Sequence, residues 1–139
     1  MKKIMVINGV NLNMLGIREP GIYGSFTYND LVKYIQDKSK DVELTFFQSN
    51  HEGDIVDTIH KCYFEQYDGI VINPGAFTHY SYAIYDAIKS VNIKTVEIHI
   101  SDINSREEFR KLSVISPACI AQIKGKGYDG YLEAIELLK

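Results

Sequence analysis

Five short runs of apolar and β-branched residues, alternating with segments of helical spacing, constrain the fold of this chain more than any other feature. The runs are KIMVI (3–7), ELTFF (43–47), GIVI (69–72), TVEIHI (95–100) and CIAQI (119–123). Runs of this length and composition are typical of buried strands. The sequence therefore predicts five strands.

The segments between these runs carry apolar residues at helical spacing. In the segment that starts at Thr27, the residues Tyr28, Leu31, Val32 and Ile35 form one apolar stripe at i, i+3, i+4 and i+7. Further helices are predicted from Glu52, from Ser81, over a shorter segment SREEFRKL from Ser105, and over YDGYLEAIELL from Tyr128.

Strands that alternate with helices of this length indicate βαβ units and a parallel sheet. A chain of 139 residues with 45% apolar side chains fits one domain, residues 1–139, with a single buried core. We therefore expect an α/β fold of the flavodoxin-like type. In that fold a doubly wound, five-stranded parallel sheet forms the middle of a three-layer sandwich.

Composition excludes several classes of partner. The formal net charge of −3 and a pI near 5.8 argue against nucleic acid and anionic membranes, which are bound largely through clustered Lys and Arg. No apolar run approaches the roughly 18 residues that span a bilayer, and the N-terminus leads straight into a strand. We expect a cytoplasmic protein that does not bind membranes.

Cofactor and metal motifs are weak in this sequence. The four histidines lack HxH or HExxH spacing, so we expect no metal site. The segment GKGYDG (125–130) matches G-x-G-x-x-G, but only nine residues follow it, too few for a dinucleotide-binding unit. It is interpreted as a turn into the last helix, and no cofactor is expected.

Polar residues that can do chemistry gather after the predicted strands. The carboxyl ends of parallel strands form one rim, where open α/β sheets bind their ligands. The residues predicted at this rim are Asn8, Asn11, Asn13, Arg18, Tyr23, Asn50, His51, Asn73, His79, His99, Ser101 and Arg106. The rim is therefore the candidate site.

His99 is the strongest single candidate for acid chemistry. It alternates with Ile98 and Ile100, and Glu97 lies two residues back on the same face of the strand. A carboxylate there could orient the imidazole and favour its protonated form, which suits a general acid. The alternative for His99 is a core histidine whose hydrogen bonds are satisfied inside the protein. For Asn73 and His79 the alternative is a role in turns and helix capping, and for Arg106 and Arg110 it is a charged side chain solvated at the surface.

Six motifs taken together resemble the type II 3-dehydroquinate dehydratases in order and spacing. They are N-G-x-N-L-N-x-L-G, R-E-P-x-x-Y-G, Q-S-N-H-E-G, I-N-P-G-A-x-T-H, E-x-H-x-S and R-E-x-F-R. The match as a whole runs from about Ile7 to Tyr131, nearly the whole chain. The resemblance implies a cytoplasmic, flavodoxin-like enzyme of the shikimate pathway to chorismate and the aromatic amino acids. It would convert 3-dehydroquinate to 3-dehydroshikimate without cofactor or metal, usually as a dodecamer of four trimers.

The resemblance also implies roles for particular residues. Tyr23 would be the base and Arg18 the cation beside it. Asn11 would help to hold the water that faces the developing enolate oxygen, and His99, supported by Glu97, would be the acid. Substrate would be bound by Asn73, His79, Arg110 and the backbone of Ile100 and Ser101, with Asp86 reaching a neighbouring subunit.

The segment GIREPGIYG (16–24) combines Arg18 and Tyr23 with three glycines and a proline, which suits neither helix nor strand. A tyrosine of pKa near 10 is a poor base at neutral pH, and a guanidinium in a water-excluding site can stabilise its phenolate. We therefore predict that residues 18–24 are a mobile lid. Since no lysine occurs in the first four rim loops, an enolate route is favoured over a Schiff base, with Lys124 and Lys126 as the nearby alternatives.

Four residues depart from the family pattern: Val10, Tyr85, Asp102 and Asn104. Two other functions remain open on the residues alone. One is a flavodoxin-like module that binds an anionic small molecule without chemistry. The other is an FMN-binding electron carrier, which would need a hydroxyl- and glycine-rich loop after the first strand, where this chain has asparagines and leucines.

Overall fold

The computed structural model describes residues 1–17 and 26–139, and within them five parallel strands form one sheet. The strands are β1 (Lys3–Asn8), β2 (Glu43–Gln48), β3 (Gly69–Asn73), β4 (Thr95–His99) and β5 (Ala121–Lys124). Their order, β2-β1-β3-β4-β5, is that of the flavodoxin-like doubly wound fold, so the predicted fold class is confirmed. The predicted lid, with Arg18 and Tyr23, lies outside the described residues.

Within residues 1–17 and 26–139, four α-helices connect or follow the strands. They are α1 (Tyr28–Lys38), α2 (Glu52–Phe64), α3 (Tyr82–Val91) and α4 (Asp129–Leu138). Helix α1 begins at a capping box, in which the Thr27 hydroxyl accepts from the Asp30 N–H and the Asp30 carboxylate accepts from the Thr27 N–H.

The predicted helix over SREEFRKL is wrong. The segment contains the last residue of one short 3-10 turn, Ile103–Ser105, and all of a second, Glu108–Lys111, separated by extended backbone at Arg106. The Asp102 side chain accepts from the Asn104 N–H and so favours a local turn over a helix. Phe109 and Leu112 are both more than half exposed, so a helix here would have no apolar face to bury.

The fifth strand begins two residues later than the apolar run predicts. A 3-10 turn at Ser116–Ala118 ends with the Cys119 N–H donating to the Ser116 carbonyl, which delays the strand to Ala121. The segment after Gly125 is a turn into α4, as predicted.

Alternating strand residues divide the interior between the two faces of the sheet. Ile4 and Val6 of β1 pack with Leu31 of α1 and Ile135 of α4, whereas Met5 and Ile7 pack on the opposite face. That opposite core includes Ile55 and Ile59 of α2 and Ile84 and Ile88 of α3. The helices therefore cover both faces, which gives the expected three layers.

The loops after β1 and β3 are pressed together at the carboxyl rim. A Cβ on Gly9 would lie 2.2 Å from the Pro74 carbonyl oxygen, and one on Gly75 would lie 2.6 Å from the Val10 carbonyl oxygen. Gly75 also has a φ of 64°, in the left-handed region. Only glycine at both positions allows these two loops to approach each other this closely.

Candidate active site

A pocket opens at the carboxyl ends of β1, β3 and β4, where the sequence placed the rim. Its lining contains seven of the predicted site residues, Asn11, Asn73, His79, His99, Ile100, Ser101 and Arg110, together with Val10, Leu12, Gly75, Ala76, Ile103 and Arg106. Residues distant in sequence thus meet in one concave site, the usual form of a small-molecule site.

His99 and Glu97 form a buried pair at this pocket. They are separated by one residue on β4 and so project from the same face, where the His99 Nε2 contacts the Glu97 Oε2. Only 6% of His99 is exposed, and Glu97 is fully buried. His99 reaches the pocket, while Glu97 lies behind it.

Among the residues that the structure describes, three donors converge on the Glu97 carboxylate. Besides His99, the Ser113 hydroxyl donates to Oε1 and the Gln122 amide donates to Oε2, each at 2.9 Å. Burial alone raises the pKa of Glu97, but the hydrogen bonds from His99, Gln122 and Ser113 outweigh burial and hold this pKa below its ordinary value. Glu97 is therefore ionised at neutral pH and can only accept hydrogen bonds.

An ionised Glu97 decides which ring nitrogen of His99 carries hydrogen. Because the carboxylate has no proton to give, the hydrogen in the His99–Glu97 contact belongs to Nε2. Nδ1 is then the nitrogen that remains for a ligand in the pocket.

His79 approaches the same pocket from the loop after β3. Its Nδ1–H donates to the Leu112 carbonyl at 2.7 Å, which leaves Nε2 as an acceptor. Burial lowers the pKa of His79, the hydrogen bond to Leu112 opposes that effect, and the charge of Arg110 lowers the pKa further. A neutral His79 can therefore accept a hydrogen bond from a hydroxyl group.

Asn73 ends β3 and is held by a buried network. Its amide nitrogen donates to the Tyr131 hydroxyl at 2.9 Å, and that hydroxyl donates to the Asn8 amide oxygen at 2.6 Å. The Asn73 amide oxygen accepts from the Gly75 N–H at 3.2 Å. Asn73 thus has the turn-forming role that the sequence left open, and it also lines the pocket.

Asn11 is exposed and lies in the left-handed region, with a φ of 69°. Its backbone N–H donates to the Asn50 amide oxygen at 2.8 Å, and Gln48 donates to the same oxygen at 3.2 Å. The loop after β2 is therefore hydrogen-bonded to the loop after β1, and Asn50 at the rim makes this link. His51 occupies the N-cap position of α2, with no side-chain cap hydrogen bond, and is exposed.

Two arginines reach the pocket from the irregular segment that replaces the predicted helix. Arg110 contacts Glu107 through Nε and lies over the Phe109 ring at 4.8 Å from its centroid. Arg106, which the sequence placed at the rim without a binding role, lines the same pocket. Pairs of guanidinium groups are suited to anionic and polyhydroxylated ligands.

Some residues lie elsewhere or were missed. Asp86 is exposed on α3 and is not among the described residues that line the pocket. Ser113, Gln122 and Tyr131, which hold site residues, were not predicted. Gln122 lies opposite Glu97 in the β4–β5 register, a signal that depends on knowing the register.

Residues 1–17 and 26–139 contain no group of three or more His, Cys, Asp or Glu side chains placed to hold a metal ion. In this same part of the chain, no helix is both long and apolar enough to cross a membrane.

The family model described as dehydroquinase class II matches residues 2–139. A 3-dehydroquinate dehydratase from Caldicellulosiruptor bescii is 61% identical, over 100% of this chain and 97% of its own length. One from Clostridium beijerinckii is 60% identical, over 99% and 95%. The crystal structure of a type II dehydroquinase from Butyrivibrio crossotus is similar with a TM-score of 0.96 and 58% identity, over 99% of this chain and 97% of that one.

Proposed function

Since this chain belongs to the class II dehydroquinase family, we propose that it is a 3-dehydroquinate dehydratase, a hydro-lyase of the shikimate pathway. It removes water from 3-dehydroquinate to give 3-dehydroshikimate. The observation that carries the proposal is the buried Glu97–His99 pair, whose imidazole reaches a pocket with two arginines and a neutral histidine.

The reaction breaks two bonds, and the proposal assigns a group to each. A base removes a proton from C2, next to the ketone, and the electrons pass to the ketone oxygen as an enolate. The enolate then expels the C1 hydroxyl, which takes a proton from His99 and leaves as water. His99 would act here as the imidazolium: its Nε2 hydrogen stays directed at Glu97, while its Nδ1 hydrogen passes to the leaving hydroxyl, which leaves a neutral ring with hydrogen on Nε2.

Asn11 supports the enolate in this proposal. Asn11 lines the pocket, and its left-handed backbone is anchored by Asn50. From there it would hold a water that faces the developing negative charge on the oxygen, an electrostatic role in which neutral amide donors are effective.

Substrate hydroxyls and carboxylate need separate partners. The ring hydroxyls would be bound by the Nε2 acceptor of His79, by Asn73 and by the guanidinium of Arg110. The carboxylate would be bound by the backbone of Ile100 and Ser101, directly after His99. The proposal thus gives each polar part of the substrate a partner at the rim.

The base in this proposal is Tyr23, activated by Arg18, both outside the described residues. Their loop, residues 18–24, would close over the pocket and exclude water. We expect amide hydrogen exchange in this loop to be faster than in the core strands of the empty enzyme and to slow when a ligand binds. Exchange as slow as that of β1 and β3 in the empty enzyme would contradict the lid.

The remaining parts of the proposal concern the assembly. We propose one catalytic domain over residues 1–139, in a cytoplasmic homo-oligomer built from trimers, most simply a dodecamer. Asp86 on the exposed face of α3 would then reach the pocket of a neighbouring subunit. Tyr85, one of the departures from the family pattern, lies beside it at that contact.

The activity is tested by mixing purified protein with 3-dehydroquinate and following ultraviolet absorbance. The product is a conjugated enone, so absorbance rises if the proposal is right. A protein that binds 3-dehydroquinate by calorimetry without absorbance change would instead be a binding module. If the protein neither binds 3-dehydroquinate nor produces an absorbance change, it acts on a different substrate.

A further inference from the structure

Two polar side chains outside the pocket converge on Glu97 from different elements. Ser113 follows the 3-10 turn Glu108–Lys111 and donates to Oε1 of Glu97 at 2.9 Å, while Gln122 on β5 donates to Oε2 at 2.9 Å. Both are described residues and neither lines the pocket. Any effect they have on the reaction must therefore pass through Glu97.

The direction of the Ser113 hydrogen bond is fixed by a second contact. The Ser113 hydroxyl oxygen accepts from the Ser116 N–H at 3.0 Å. A hydroxyl has one hydrogen, and this arrangement leaves that hydrogen free to point at Glu97. Ser113 therefore presents a donor to the carboxylate.

Gln122 is held in place by the sheet itself. It is the direct partner of Glu97 in the parallel β4–β5 register, so both side chains leave the same face. Its amide donates to Oε2, the oxygen that His99 also contacts. A proton on this oxygen would face two donors, which disfavours a neutral Glu97.

We propose that Ser113 and Gln122 are positioning residues for His99: by donating to Glu97, they keep the Nε2 hydrogen of His99 directed at the carboxylate, so that the Nδ1 hydrogen of the protonated ring is the one that faces the leaving group. This role rests on the proposed dehydratase function. Without these donors, the proton of the His99–Glu97 contact can move to Glu97, and His99 loses the charge partner that an acid needs.

The test uses Ser113→Ala, Gln122→Leu and their combination in the full-length protein. Each single change is expected to lower kcat on the order of 10-fold with KM nearly unchanged, because neither residue lines the pocket. Ser113→Thr retains the hydroxyl and should restore most of kcat. The matched controls are Ser90→Ala, whose hydroxyl donates to the Ala87 carbonyl in α3, and Gln36→Leu on the exposed face of α1; both should retain wild-type kcat.

A spectroscopic measurement separates positioning from general structural support. In protein labelled with ¹⁵N-histidine, nitrogen shifts report the tautomer, and the His99 signals are those lost in His99→Gln. Wild type should show hydrogen on Nε2 when the ring is neutral, whereas the double variant should show a mixture. If the double variant fails to fold, Gln122→Leu alone carries the test, because Gln122 is only half-buried.

Two results would overturn the proposal. One is an unchanged tautomer with kcat within about twofold of wild type; the other is a loss expressed in KM alone, which would indicate substrate contact. A wild-type protein without dehydratase activity would instead refute the proposed function, and the nitrogen shifts would still show whether Ser113 and Gln122 set the tautomer.

Discussion

The two sides of the pocket are built differently. On the β4 side, Glu97 and His99 are almost completely buried on a regular strand, and Glu97 is the acceptor of three hydrogen bonds. On the opposite side, Arg110 sits on a 3-10 turn and pairs with Glu107, whose side chain is 58% exposed. The group proposed to transfer a proton thus lies on a regular, buried strand, while a group proposed to recognise substrate lies on an irregular and more exposed segment.

This difference fits the demands of the two tasks. Proton transfer requires one tautomer and a narrow range of distances, which a strand with neighbours on both sides can maintain. Hydroxyl binding tolerates small adjustments, so a surface turn is adequate. The comparison predicts that substitutions on the β4 side lower kcat and stability, whereas those on the opposite side mainly raise KM.

The largest effect is expected from His99→Gln. Removing the acid should lower kcat by roughly 100-fold to 10,000-fold, the usual contribution of a general acid. Substrate or product binding, measured by calorimetry, should be largely retained because the pocket lining is otherwise intact. Near-normal turnover would show that His99 is not the acid, and the proposed difference between the two sides of the pocket would then be wrong.

Glu97→Gln should destabilise the fold as well as lower kcat. One of the three donors would face an amide NH₂ instead of an oxygen, at a cost of about 1–3 kcal/mol in the free energy of unfolding. Urea titration of both proteins at pH 7 measures this difference, and equal stabilities would show that the triple hydrogen bond contributes nothing.

The difference in stability between wild type and Glu97→Gln is also expected to depend on pH. Hydrogen bonds hold the folded pKa of Glu97 below the ordinary 4.5, so the carboxylate stabilises the fold above that value. This contribution is lost as pH falls from 4.5 through the folded pKa. The stability gap between wild type and Glu97→Gln should therefore narrow on acidification below about pH 4.5, and a gap that widened there would contradict the assigned pKa direction.

Arg110→Ala tests the exposed side. Loss of a charged hydrogen-bond donor should raise KM roughly 10-fold while kcat changes less. The melting temperature should stay within a few degrees of wild type, because exposed ion pairs contribute little. Lys111→Ala is the matched control: it breaks a neighbouring ion pair with Glu108 outside the pocket lining and should leave KM unchanged. A kcat loss as large as that of His99→Gln would remove the distinction between the two sides.

The smallest effect is expected from Glu107→Gln. Glu107 orients Arg110 through an exposed contact, so KM should rise about twofold to threefold. Steady-state kinetics of Glu107→Gln, Arg110→Ala and the double variant measure this change in KM. If Glu107 acts only through Arg110, the double variant should have the KM of Arg110→Ala. An additive loss in the double variant would indicate an independent role.

The sheet and the β4 pair were predictable because they depend on local patterns. Alternation along β4 put Glu97 and His99 on one face, and strand–helix alternation implied the parallel sheet. The 3-10 segments around Arg106 and Arg110 were mispredicted as a helix because Asp102 and the exposed Phe109 and Leu112 override helical spacing.

Long-range contacts were beyond local patterns. Tyr131 meets Asn8 across 123 positions of sequence, and Ser113 meets Glu97 through a loop whose path no periodicity specifies. Such contacts follow from the packed fold. They are also the contacts that hold the candidate site, which is why the residues lining the pocket were easier to predict than the residues behind them.

The central claim is that the pocket dehydrates 3-dehydroquinate through an enolate, without a covalent bond to the protein. No lysine is among the described residues that line the pocket, although Lys124 lies opposite His99 in the β4–β5 register. Incubation with 3-dehydroquinate and borohydride, followed by the enone assay and intact-protein mass measurement, tests this directly. The account predicts continued enone formation and an unchanged protein mass. Inactivation with a mass increase of one reduced ligand would demonstrate a Schiff base and contradict it.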